Sequence, residues 1–128
     1  MNRVNYSSGA KWEPIVGYSR AVKIGDTIEV SGTVSIKDGK PHGEGDPYEQ
    51  TKRILEIIKD SIESAGGKIE NVVRTRTYIL EASHWEAVGK AHGEMFGEIR
   101  PATSMVVIKE LISPEYLVEI EATAIVED

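Results

Sequence analysis

The chain contains no cysteine. That single absence removes disulfides, thiolate nucleophiles and thiolate metal ligands, and leaves histidine and carboxylates as the side chains able to hold a metal. No stretch approaches the roughly 20 apolar residues of a membrane helix, so no membrane partner is expected. The opening Met1-Asn2-Arg3-Val4-Asn5-Tyr6 lacks the apolar run of a secretory signal, and a cytoplasmic protein is the simplest expectation. Positive charge is also short: 15 Lys plus Arg against 21 Asp plus Glu leave a net charge of -6. That is the wrong sign for gaining affinity by neutralising phosphates, and no basic patch interleaves with the few aromatics, so nucleic acid is not an expected partner.

What is present reads as one domain over residues 1–128, long enough to bury a core. Asp46, Pro47 and Glu49 have the form of a helix N-cap, a first-turn proline and a capping-box acid. The run to Ala65 then sets Thr51, Ile54, Leu55, Ile58 and Ile62 on one face, and Gly66-Gly67 supplies the stop. Ser83 and Glu86 repeat the capping box for a second helix, with Trp85, Val88, His92, Met95 and Phe96 as its buried stripe and Gly97 as its close. Strands are expected at Arg20 to Ile24, Thr27 to Ser31, Val72 to Leu80, Thr103 to Lys109 and Leu117 to Val126, with a short one near Val4. Gly25-Asp26 marks a hairpin, and Lys37 to Asp46 reads as a flexible loop. Strands and helices in this order define an α+β fold, a sheet with two helices on one face.

Alternation along the last strand puts Val118, Ile120, Ala122, Ala124 and Val126 under the helices and Leu117, Glu119, Glu121, Thr123 and Ile125 on the other face. Arg74, Arg76 and Tyr78 share one side of their strand, as do Thr103, Met105 and Val107 of theirs, and both sets are assigned to that second, semi-polar face. It is either solvated or covered by other copies of the chain.

Several segments carry a resemblance: Gly17-Tyr18-Ser19-Arg20-Ala21-Val22, Val30-Ser31-Gly32, Glu49-Gln50-Thr51, Val72-Val73-Arg74-Thr75, Ile99-Arg100-Pro101-Ala102-Thr103-Ser104-Met105, and Val118-Glu119-Ile120-Glu121-Ala122. Together they resemble the YjgF/RidA family, whose best-known members hydrolyse reactive enamines and imines. The resemblance implies a chorismate-mutase-like fold, a homotrimer with small-molecule clefts between subunits, and no cofactor. It also implies site residues: Glu119 as the catalytic glutamate that positions water, with Tyr18, Ser31, Thr103 and Met105 lining the substrate site. Thr103 stands where catalytic relatives carry an arginine that grips the substrate carboxylate, and Met105 where many carry a cysteine. Some relatives bear an old ribonuclease label, which the acidic charge does not support.

The lost arginine matters because a guanidinium offers two parallel charge-assisted bonds to a carboxylate, which threonine cannot reproduce. Removing such a clamp costs about 2–5 kcal/mol, and about 1.4 kcal/mol is a factor of ten. Arg76 and Arg100 are the candidate replacements, with Arg76 preferred and Pro101 biasing Arg100 toward an extended backbone. Two functions therefore stand open: a 2-imino-acid deaminase with an altered anchor, and a non-enzymatic ligand-binding or regulatory module of the same fold. The bland readings are an interface ion pair for Glu119 and a β-branched strand residue for Thr103. His92 reads as a satisfied core histidine. The three histidines, His42, His84 and His92, share no ligand spacing, so no metal is expected.

Overall fold

The computed structural model describes residues 2–127. Eight strands are present among them: β1 (Arg3–Tyr6), β2 (Ala21–Ile24), β3 (Thr27–Thr33), β4 (Ile36–Lys37), β5 (Lys40–Pro41), β6 (Val72–Ile79), β7 (Ala102–Val107) and β8 (Val118–Ile125). Six of them form one mixed sheet in the order β1-β2-β3-β8-β6-β7, in which β6 and β7 are parallel and the other neighbours antiparallel. The α+β architecture, with helices α1 (Pro47–Ser64) and α2 (Trp85–Phe96) on one face of the sheet, is the one the sequence implies.

Helix α1 (Pro47–Ser64) begins as its sequence dictates: Asp46 accepts a hydrogen bond from the Glu49 amide at 3.1 Å, and Pro47 fills the first turn. The reciprocal half of the capping box does not form; the Glu49 carboxylate lies 4.0 Å from His42 instead. Thr51, Ile54, Leu55, Ile58 and Ile62 are all buried, and they pack on the inward residues of β3 and β8: Ile28, Val30, Val118, Ile120, Ala122 and Ala124. Burying side chains of this kind contributes roughly 1.5–3 kcal/mol each before the entropy of ordering is counted, so this seam holds the fold together.

Helix α2 (Trp85–Phe96) departs from expectation at its start. Ser83 lies inside a short 3-10 turn (Ala82–His84), the helix begins one residue later than a Ser83 cap requires, and no side chain caps it. Trp85 has the angular position of the buried stripe but occupies the first turn, where it stays 59% exposed; Val88, Ala91 and Phe96 are the buried members. At the far end Gly97 remains helical, and the chain reverses at Arg100 with φ 55°. Arg100 is therefore left-handed rather than extended, because the Phe96 carbonyl accepts from both the Ile99 and Arg100 amides (3.0 and 2.8 Å), which satisfies a helix end that would otherwise be orphaned.

Two further corrections concern the sheet and its loops. Lys37 to Asp46 opens with the β4–β5 hairpin, turned at Asp38-Gly39, where both residues have positive φ (53° and 77°) as a type I′ turn requires. And Thr103, Met105 and Val107 do not share a face with Arg74, Arg76 and Tyr78. The parallel register sets Thr103 beside Thr75, Met105 beside Thr77 and Val107 beside Ile79, which places all three on the helix side, while Ser104 aligns with Arg76 on the open side.

Candidate functional site

Strands β3 and β8 build the floor of the site through a local irregularity. Val30 pairs with Ala122 and Thr33 with Ile120, so β3 carries one extra residue between them, at Ser31-Gly32. The bulge leaves bare backbone at Gly32 against the Glu119 side chain: a Cβ built there would stand 2.8 Å from Oε2. The Ser31 hydroxyl donates to the Ser19 carbonyl at 2.6 Å and so fastens β3 to the segment leading into β2.

That segment is shaped by a π-type turn, Glu13–Gly17, closed by the Tyr18 amide donating to the Glu13 carbonyl at 3.0 Å. Glu13 is buried, and its carboxylate accepts hydrogen bonds from the Ser8 amide and hydroxyl, which pins the preceding loop. The turn brings Trp12, Tyr18 and Arg20 to a cavity of about 420 Å³ that is also lined by Ile112, Tyr116 and Glu119. A wider, shallower depression of about 680 Å³ lies across Tyr18 and includes Ser31 and Glu13. We centre the site on the smaller cavity, because it holds the titratable groups that face one another.

Glu119 is half-buried, and burial pushes its carboxyl above the ordinary value; the neighbouring charge of Glu121 adds to that push and Arg20 opposes it. Arg20 is itself part-buried, and burial draws its guanidinium below the usual arginine value, against the charges of Tyr18, Glu13 and Glu119. Its one hydrogen bond among the described residues runs from Nη2 to the Gly32 carbonyl at 2.6 Å, and Nε is shielded from water without an acceptor. The second arginine of the cavity, Arg53, is committed: Nε donates to the Ile36 carbonyl at 2.9 Å and Nη1 lies 3.3 Å from Glu56.

Of the residues singled out from sequence, the fold brings together Tyr18 and Glu119 in the cavity and Tyr18 and Ser31 in the adjoining depression. Arg76 lies elsewhere on the open face, 3.5 Å from Glu121. Arg100 is exposed, with Nε donating to the Gly97 carbonyl at 3.1 Å. Thr103 and Met105 lie on the sheet's far edge, with β8 and β6 between them and β3. The Thr103 hydroxyl is 2.7 Å from that of Thr75, which is 2.8 Å from Nε2 of His92. His92 thus has the partner a core histidine needs, and burial lowers its pKa, keeping it neutral. Among the described residues no three His, Asp or Glu side chains gather into a metal-binding group, and no helix is long and apolar enough to cross a membrane.

Sequence reasoning missed Arg20, Trp12, Ile112 and Tyr116. Arg20 offered a signal, a charge immediately before the apolar start of β2; the other three come from loops, where no periodicity reveals direction.

The chain and its fold match a known family. The model of the family described as Endoribonuclease L-PSP matches residues 8–126. A crystal structure of a member of the YjgF/YER057c/UK114 family from Mycobacterium tuberculosis superposes with a TM-score of 0.89 at 45% identity, covering 98% of this chain and 100% of that one. Among curated relatives, an uncharacterized protein of Streptomyces coelicolor is 41% identical over 117 residues (91% of this chain, 87% of the relative). The 3-aminoacrylate deaminase RutC of Acinetobacter baylyi is 30% identical over 112 residues (87% and 88%). The chain belongs to the YjgF/RidA family.

Proposed function

We propose that this protein is a homotrimer whose intersubunit clefts bind a small enamine or imine and hydrolyse it to the carbonyl compound and ammonia. The observation that carries the reading is the Glu119 carboxyl, held above its ordinary pKa at the edge of a cavity. A carboxylate poised in this way accepts a proton from water as the water oxygen bonds to the imine carbon, and the imine nitrogen gains a proton to give a carbinolamine. The C–N bond then breaks, nitrogen leaves with a further proton as ammonia, and the carbonyl forms; one water is consumed. The 3-aminoacrylate deaminase among the relatives supports this class of chemistry.

The trimer is supported by the division of the expected site. Thr103 and Met105 cannot reach Glu119 within one chain, but a neighbouring copy's β7 laid against the cavity would complete it. The open face also presents charge and apolar surface together, with Val106 45% and Ile125 45% exposed in the single chain. Sedimentation tests this arm: a monomer at micromolar concentration removes the intersubunit cleft.

A second reading, a binding or regulatory module without turnover, is favoured by Thr103, whose hydroxyl is bonded to Thr75 within its own chain and whose position offers no clamp. The test is release of keto acid from freshly generated 2-aminoacrylate and from bulkier imino acids, with wild type beside Glu119→Ala and Thr103→Arg. Turnover that disappears in Glu119→Ala supports the hydrolase. A silent wild type with activity gained in Thr103→Arg assigns the protein to the second reading.

A further inference from the structure

The cavity is chemically mixed. Its lining brings together the polar Arg20, Glu119 and Tyr18 and the large, largely apolar Trp12, Ile112 and Tyr116. Trp12 is 48% and Ile112 81% exposed in the single chain, an arrangement that costs solvation free energy unless something apolar covers them.

Arg20 has the complementary deficiency. Among the described residues no carboxylate lies within 4.0 Å of its guanidinium. A part-buried cation with five N–H donors and a single recorded acceptor is an incompletely compensated charge. Arg3, Arg74 and Arg100 also have no acid within ion-pair distance among the described residues, but of the two arginines that line this cavity Arg53 lies against Glu56 and Arg20 has no acid. Glu119 shares the cavity lining with Arg20 and interacts with it electrostatically, yet lies outside ion-pair distance.

The geometry points to Arg20 as the anchor for a ligand carboxylate, with Trp12 and Ile112 selecting a bulky apolar side chain, so that the ligands of this site are 2-imino or 2-keto acids with aromatic or branched tails rather than the three-carbon compounds. The inference deepens the reading of the cavity given above and rests on it. A carboxylate on Arg20 completes its hydrogen bonding with charge-assisted bonds. It also sets the adjoining carbon beside Glu119, where water addition is required. The apolar tail then lies against Trp12 and Ile112, and an aromatic tail gains most, through contact with the indole. The volume of about 420 Å³ admits such a tail.

The test is calorimetric titration of the full chain with phenylpyruvate, pyruvate and phenylacetone, the last being the aromatic ketone without the carboxylate. Phenylpyruvate should bind about 30-fold or more tighter than phenylacetone, and Arg20→Gln should abolish that preference. It should also bind about tenfold or more tighter than pyruvate, with that second preference reduced in Trp12→Ala. Arg20→Lys, which keeps the charge and loses the fork, should fall between wild type and Arg20→Gln. Equal affinity of wild type for phenylpyruvate and phenylacetone, or no binding of any of the three at millimolar concentration, overturns the anchor. Equal affinity for phenylpyruvate and pyruvate overturns the apolar selection. These comparisons within wild type need no variant to fold. Ammonia release from 2-imino-3-phenylpropanoate, measured on the same preparations, separates the two ideas: selective binding without ammonia release sinks the hydrolase and leaves the anchor standing.

Discussion

Oε2 of Glu119 lies 2.8 Å from where the first side-chain carbon of any residue other than glycine at position 32 would stand, closer than such a carbon tolerates. The carboxyl is seated against bare backbone at the bulge of β3, and its position depends on a side chain that is missing.

Gly32→Ala should therefore displace the carboxyl without unfolding the protein, because the carboxyl is the movable end of a side chain. Imine turnover is expected to fall by about 10- to 100-fold, the usual penalty for misplacing a reacting group by about an ångström. The melting temperature should move by no more than about 4 °C, equivalent to about 1 kcal/mol. Steady-state kinetics beside thermal unfolding checks this; unchanged turnover would remove Glu119 from the chemistry.

Glu119 should also impose a pH-dependent stability cost. Its folded pKa lies above the unfolded value, so the unfolded chain releases its proton first and stability falls as pH rises from the ordinary carboxylate range through the raised folded pKa. Glu119→Gln is expected to melt higher than wild type at neutral pH and alike below about pH 4. Melting curves across pH 3.5 to 8 decide it, and a variant that melts lower at neutral pH contradicts the sign.

Gln50 is the buried latch between α1 and the chain entering β8. Its Oε1 accepts from the Leu117 amide at 2.8 Å, and its Nε2 donates to the carbonyls of Glu115 (2.9 Å) and Gly43 (3.2 Å). Gln50→Leu keeps the volume and orphans these backbone groups, which should cost about 2–4 kcal/mol in urea unfolding. A loss under about 1 kcal/mol would show that water replaces the amide.

Thr103→Val removes the hydroxyl bonded to Thr75 and leaves the Thr75 to His92 contact in place. Stability should drop by about 1 kcal/mol, with ligand affinity unchanged if the hydroxyl serves the strand alone. A tenfold loss of affinity with little change in stability would instead assign Thr103 to the ligand.

The parts of this fold that were legible in the sequence are those where a local rule and a tertiary demand agree. Asp46 and Pro47 begin α1 because capping and proline geometry require nothing from the rest of the chain, and Ile54, Ile58 and Ile62 follow from period. Asp38-Gly39 was equally readable as a type I′ turn, but the glycines after it suggested a loop. Trp85 misled because periodicity reports an angle and not whether anything lies opposite. Thr103 and Met105 were assigned to the wrong face because alternation divides a strand into two sets without saying which set looks at the helices; only the register against β6 does that.

The site divides in the same way. Tyr18, Ser31 and Glu119 came from family resemblance and do gather around β2, β3 and β8. Arg20 escaped notice because its significance is a missing partner, and a sequence shows which charges exist but not which remain unpaired.

The place of β8 in the sheet has a consequence for how the protein is made. Val118–Ile125 bonds to β3 on one side and β6 on the other, yet follows both in the chain. While a ribosome is still translating these residues, the nascent chain holds two half-sheets with open edges, and the part of α1 that packs on β8 is uncovered. No stepwise growth of the core is available to it; the middle is inserted last. Such a chain depends on rapid completion or on a chaperone to shield those edges, and any stall shortly before Val118 would release an aggregation-prone fragment instead of a smaller folded one.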